Sequence, residues 1–314
     1  MQTAKYNFMA KRRIFFGISV AIIAVILLCS VIFGVQMDIQ FKGGALVSLG
    51  YQGDVSISDV ENTVKSQLGN GITVQAGSNS STGQKSLTIN LPGAETVATE
   101  ELEQLIGSLN EKFSGNEFTQ LETQNVNPTM GREFLVKCII AVVVACALIL
   151  VYVWYRFRKI GGRTAGLFAV CALCNDLLVV FGVFVIFQIP LNGNFIAAML
   201  TILGYSINDT VVIYDRIREN RKLLGNKMPF EEMVNLSINQ SLRRSINTTV
   251  TTCTALGVVC VVSVIFNLSS IFTFALPLMI GMASGLYTSL FLATGLWVEW
   301  ENHKQGKMLE ENKS

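Results

Sequence analysis

Two carboxylates stand where hydrocarbon-facing residues are expected. Asp209 follows Asn208 inside residues 195–220, FIAAMLTILGYSINDTVVIYDRIREN, and Asp176 lies inside the apolar run 165–189. An aspartate at the centre of a membrane span costs ~2.5–3.5 kcal/mol on insertion scales, so it faces a bundle interior, finds a partner, and marks an ion or proton path. A plain hydrogen-bonded contact between helices is the alternative role. The cations available to pair with these groups are Arg243 and Arg244, with Asn247, Thr248 and Thr249 just beyond them. Burial favours the neutral form of a carboxyl and a nearby guanidinium favours the charged form; a group held between the two takes up and releases a proton as geometry changes. For the arginines, anchoring at the membrane surface is the competing role. Tyr205, four residues before Asp209, shares its helix face. Gly204 permits a close helix crossing. Asp215, Arg216, Arg218 and Glu219 alternate in sign at the end of the run, with Asp215–Arg218 and Asp215–Glu219 spaced for one face, and read as a structural cytoplasmic cap.

Other chemistries find no footing. There is no P-loop, nucleophile elbow or HExxH, so neither an enzyme nor ATP hydrolysis is expected. The single histidine, His303, is in the polar tail; no metal site and no cofactor are expected. The seven cysteines lie in apolar runs and none falls between residues 36 and 134, which excludes a secreted disulfide framework. Cys171 and Cys174 read as small packing residues. A net charge of +2 leaves no footprint for nucleic acid.

The elements that must position these groups are membrane spans. The chain is 51% hydrophobic and 15% charged, where a soluble domain carries about 25% charged residues. Runs long enough to cross, ~20 residues each, cover 14–35, 135–155, 165–189, a fourth starting at 195, 248–266 and 271–297. The first is too long for a signal-peptide h-region and lacks a good cleavage site, so it reads as a retained span. Between spans four and five, 216–247 reads as a polar connector holding an amphipathic surface helix at 230–242. Lys and Arg number four before span one, four between spans two and three, seven in the connector and three in the tail, with none after spans three and five. Positive charge stays inside. Both termini are therefore expected in the cytoplasm and residues 36–134 outside.

That outer segment carries twelve acidic and five basic residues, 5 − 12 = −7. Strands are expected at 41–51, 71–77, 86–91 and 117–126. Helices are expected at 56–68, where Ser58 and Glu61 have capping-box spacing and Val60, Val64 and Leu68 share a face, and at 97–113, where Leu102, Leu105, Ile106 and Leu109 do. The order βαββαβ is the ferredoxin-like arrangement. The expected architecture is thus an α-helical membrane protein of six spans with a small α+β domain between spans one and two. Its divisions are 1–35, 36–134, 135–298 and 299–314.

Several motifs carry a resemblance. ILGYSINDTVVIYDRIREN followed by NQSLRRSINTT, MDIQFKGG after span one, NPTMGREF before span two and CNDLLVVFG in span three are similar to the SecF members of the SecD/SecF family of Sec protein-export subunits. Asn175 stands where that family commonly has histidine. The resemblance implies a half-transporter of the resistance-nodulation-division type. It would pair with SecD, associate with the SecYEG channel, and use the proton-motive force to draw unfolded exported chains across the bilayer after the ATPase SecA has pushed. It also implies that Asp209 is the proton-path aspartate and Arg244 the functional arginine, with Asp176 a lesser member and Asn208, Tyr205, Asn247 and Arg243 in support. A small-molecule exporter on the same plan and a plain membrane scaffold are the competing functions. One small outer domain argues against the first, and buried charge at three sites against the second.

Overall fold

The computed structural model describes residues 6–68, 72–78, 85–92, 99–113, 115–126, 128–266 and 268–311. Lys5, the Leu68 side chain, Gly71, the Ser/Gly-rich turn after it, Asn127 and Asn267 lie outside them. Among the described residues, six helices are long and apolar enough to cross a membrane. They are α1 (Arg12–Phe33), which a short 3₁₀ turn from Met9 precedes, then α5 (Pro128–Arg156), α6 (Gly162–Ile186), α7 (Gly193–Leu224), α8 (Phe230–Ile265), and α9 (Ser269–Tyr287) continued by α10 (Thr294–Glu311). Between α1 and α5 come α2 (Ile39–Lys42), β1 (Gly44–Tyr51), α3 (Ile57–Leu68), β2 (Thr73–Ser78), β3 (Lys85–Pro92), α4 (Thr99–Lys112) and β4 (Thr119–Val126).

The four strands form one antiparallel sheet in the order β2-β3-β1-β4. With the βαββαβ chain order, this is the expected split βαβ arrangement. Alternation decides which face is buried: Ala45, Val47 and Leu49 of β1 pack with Leu87 and Ile89 of β3 against Val60, Val64, Leu102, Leu105 and Leu109 of the two helices. Two local expectations shift. Phe41 is not in the first strand: Asp38 accepts a hydrogen bond from the Gln40 amide and starts the short α2, and the strand begins at Gly44. Ser58 does not cap; α3 starts at Ile57, the Ser56 and Ser58 hydroxyls bond each other, and Glu61 turns to Lys65. On the sheet, Lys85 is tied to Asp54, and the ammonium holds that carboxyl below the usual range.

The membrane helices surround a central triangle of α6, α7 and α9. α6 is the most buried of the six. Close approach in the triangle depends on Gly281 of α9: a Cβ there would lie 2.2 Å from Ile202 and 2.8 Å from Val180. α1 leans mainly on α6, with Tyr287 of α9 donating to the Phe15 carbonyl, and α8 packs on α9 and α7. The polar connector does not exist as such. α7 continues as helix to Leu224, and the presumed surface helix is the first third of the 36-residue α8, with Met233, Val234 and Ile238 buried in the bundle. The expected sixth span is broken by a π-helical turn, Thr288–Ala293, between α9 and α10. Cys171 and Cys174 are exposed on α6 and so do not pack as expected.

Both chain ends meet at one end of the bundle. Asn235 of α8 accepts from the Phe8 amide and donates to the Tyr6 carbonyl, and Arg12 bridges Glu231 of α8 (2.8 Å) and Glu299 of α10 (2.5 Å). The sheet domain is rooted at the opposite end. The Asp38 amide donates to the Leu191 carbonyl, the Leu191 amide to Gln36, and the Gly193 amide at the first residue of α7 to the Gln40 side chain. Gly131 of α5 completes the root, since a Cβ there would lie 2.9 Å from the Gly43 nitrogen. Burial raises the pKa of the Asp38 carboxyl, more than its hydrogen bond from Gln40 lowers it. A carboxyl with a raised folded pKa is disfavoured in its charged form, so the root loses stability as pH rises through that pKa and loses nothing below the unfolded value. Asp38→Asn keeps a capping acceptor and removes that charge. Thermal melts of the two proteins should coincide near pH 4, with the variant melting higher at pH 8.

Candidate functional site

Asp209 and Asp176 both lie on the central triangle, and the fold treats them differently. Asp176, on α6, is fully buried. Three hydroxyls surround it: Ser206 of α7 donates to Oδ2 at 2.7 Å, Ser284 of α9 to Oδ1 at 2.7 Å, and Thr288, the first residue of the π-helical turn, lies 2.9 Å from both oxygens. Among the described residues no cation takes part in this cage. Each hydroxyl is both donor and acceptor, so the cage satisfies a carboxylate, and by reversing one hydroxyl it satisfies a carboxylic acid as well. The π-helical turn places Thr288 there. Such turns, in which one helix residue is extra, occur mostly at functional sites. Beside it, Ser289 shares a 2.8 Å hydrogen bond with Thr210 and lies 3.2 Å from the Ser206 carbonyl, which ties the turn to α7 a second time. The neighbouring Asn175 amide is buried, and neither its oxygen nor its nitrogen has a hydrogen-bond partner among the described residues.

Asp209 is 6% exposed and faces α8 rather than the triangle's interior. Ser245 donates to its Oδ1 at 3.3 Å. Its Oδ2 is buried and has no hydrogen-bond partner among the described residues. Arg244 is the cation that acts on it through space, without a hydrogen bond between them. One turn nearer the domain-bearing end, the Tyr205 hydroxyl donates to Thr249 of α8 at 3.3 Å.

The other expected site residues divide. Asn208, Arg243, Arg244 and Asn247 are exposed in this chain, so charge is buried at two sites, not three: the arginines sit on a stretch of α8 whose buried face is Ser241, Ser245 and Thr249. Asp215 pairs with Arg218 at 2.5 Å and with Arg156 of α5 at 3.1 Å; Glu219 pairs with Arg216 at 2.5 Å, and Arg216 also donates to Gln240 of α8. The run therefore pairs along its own helix, as the Asp215–Arg218 spacing implied, and also joins α7 to α5 and α8. Between these helices lies a groove of about 410 Å³, lined by Asp215, Arg216, Glu219, Gln240 and Arg244 and edged by Tyr152. Sequence reasoning missed Ser206, Ser245, Ser284 and Thr288. A signal for the last two existed, since Ser284 and Thr288 stand one turn apart in an apolar run.

The family profile described as "Protein export membrane protein SecD/SecF, C-terminal" matches residues 106–303. The chain is 35% identical to Protein translocase subunit SecF of Thermobaculum terrenum over 93% of its own length and 92% of that protein. It is 30% identical to Protein translocase subunit SecDF of Bacillus subtilis over 96% of its length and 39% of that protein. It superposes on the crystal structure of SecDF from Thermus thermophilus with a TM-score of 0.78 at 29% identity, covering 96% of this chain and 40% of that one. On the matched residues and the near full-length likeness, the chain belongs to the SecD/SecF family of protein export membrane proteins.

Proposed function

We infer that this protein is an accessory subunit of the Sec translocase that works as one half of a SecD–SecF pair, using the proton-motive force to promote export of unfolded proteins across the cytoplasmic membrane. The observation that carries the reading is Asp209: a carboxyl at the depth of the spans with one hydroxyl partner, one bare buried oxygen, and a guanidinium within electrostatic reach. A group so incompletely satisfied gains or loses partners when helices shift, which is what coupling a proton to motion requires. The relatives named SecDF hold a further length of chain beyond the part matched here, in keeping with SecD as the missing half. Asn208 of α7 and Asn247 of α8 point outward from spans. Amide groups facing hydrocarbon are costly and pack against other helices, which fits SecD covering this face. Lys and Arg in the short loops set the terminal end in the cytoplasm, so residues 36–134 form the extracytoplasmic domain that meets the exported chain. SecYEG and SecA are the machinery it would serve. The small-molecule exporter is not favoured, because the relatives are named as translocase subunits.

Within this reading Asp209 carries the proton, Arg244 modulates it, and Asp176 with its hydroxyl cage is a lesser member of the path. Asp209→Asn should insert and copurify with SecD, while export in inverted vesicles falls to the rate seen with a collapsed proton gradient. Unchanged export in that variant would sink the reading. Arg244→Ala should slow export more than Arg243→Ala, since Arg244 is the arginine that acts electrostatically on Asp209. At Asp176, the cage accepts an amide, so Asp176→Asn should melt close to the parent in detergent, whereas Asp176→Ala strands three hydroxyls and should cost about 1–3 kcal/mol.

A further inference from the structure

From Ser245 onward, α8 sorts its hydroxyls into two kinds. Thr248, Thr251, Thr252, Thr254 and Ser263 each donate back to the carbonyl four residues earlier on α8. This is the usual way a helix silences a hydroxyl in an apolar setting. Ser245 and Thr249 break the pattern. Both are buried, with Ser245 at 0% and Thr249 at 4% exposure, and both turn across to α7, one to Asp209 and the other to Tyr205. Because Thr249 accepts from Tyr205 and makes no bond to its own helix among the described residues, its hydroxyl hydrogen remains available. The result is a ladder of two polar rungs between α7 and α8. Asp209–Ser245 is the inner rung and Tyr205–Thr249 the outer one, one turn toward the domain-bearing end.

We propose that the Tyr205–Thr249 rung is the relay through which protons reach Asp209 from the domain-bearing side. The proposal rests on Asp209 being the proton carrier and adds the residues that feed it. The rungs are four residues apart, ~6 Å along the helices. That is too far for a direct hydrogen bond, and it is the distance that two bonds of ~2.8 Å through one water cover. The transfer balances. Tyr205 passes its hydroxyl hydrogen to the Thr249 oxygen, and Thr249 passes its own to the bridging water. That water gives a proton to the bare Oδ2 of Asp209, and Tyr205 recovers a proton from the domain-bearing side. One proton enters, one is bound on Asp209, and every hydroxyl and the water end neutral. Ser245 holds the other carboxyl oxygen, which makes it a positioning residue.

The test is proton uptake into liposomes that hold this chain with its SecD partner, read by an enclosed pH-sensitive dye under an imposed gradient. Copurification confirms assembly of each variant. Thr249→Val keeps shape and loses the hydroxyl; Thr249→Ser keeps the hydroxyl and loses a methyl. The relay expects Tyr205→Phe and Thr249→Val each to cut uptake about tenfold or more, in line with the weight of positioned proton-transfer groups, with Thr249→Ser near the parent. Parent-like uptake by Thr249→Val, or equal loss in the Val and Ser variants, would overturn it, the second outcome meaning a packing role. If Thr249→Val does not assemble, Tyr205→Phe decides alone. Asp209→Asn separates the two layers: parent-like uptake there removes the carrier itself, while a dead Asp209→Asn beside a normal Thr249→Val removes only the relay.

Discussion

A carboxyl inside hydrocarbon has no water to solvate it, and whatever the protein fails to supply it does without. The central triangle of this bundle is built around that constraint. For Asp176 the protein supplies everything: three hydroxyls from α7, α9 and the π-helical turn, all within 2.9 Å. For Asp209 it supplies half: one hydroxyl at 3.3 Å and a bare oxygen. The difference sorts the two groups. A satisfied hub joins helices and resists their separation, since moving any one strands a donor. A half-satisfied group has something to gain from a proton, a water or a partner subunit, and its state follows the gap between α7 and α8.

The two sites share α7, and this limits how they behave separately. Ser206 belongs to the Asp176 cage and sits three residues before Asp209 on the same helix. Ser289 and Thr210 tie the π-helical turn to α7 just past it. α7 is therefore pinned to α6 and α9 along one face, with Gly281 letting the backbones close up, while its other face meets α8 through the two rungs inside the span and, further along, through Arg216–Gln240, Asn220–Ser237 and Asn220–Gln240. Motion of α8 against this part of α7 breaks the two rungs; motion of α7 against the triangle breaks the cage as well.

Apolar runs and turn residues made the six long helices and the βαββαβ order legible, because burial and backbone geometry are local in sequence. What failed was local too. Arg243 and Arg244 look like the end of a connector, yet α8 runs through them: the opposite face, from Val234 through Ile238 to Ser245 and Thr249, is buried, and a helix has room for both faces. The charged run at 215–219 does pair along its own helix as read, but its further partners Arg156 and Gln240 come from helices far away in sequence. The same distance hid the Asp176 cage. Its donors lie 30, 108 and 112 residues away, and serine and threonine raise no flag in an apolar run. Sequence placed the carboxylates; only the fold shows which of them is fully partnered.

The root of the sheet domain gives these helices a lever. Gln40 holds the amide of Gly193, the first residue of α7, and Asp38 pairs with Leu191 just before it. From that anchor to Asp209 is sixteen residues of uninterrupted helix, ~24 Å. A helix of that length transmits a tilt or slide as a rigid element, so no chain of side-chain contacts is needed between domain and carboxyl. The second strap, Gly131 against Gly43, fixes the same root to α5, which packs on α6 and α7. A shift of α7 along its axis must therefore strain or turn the root, and a turn of the root must press back on the α7–α8 gap by the same path. Linkage makes the two directions equal in free energy.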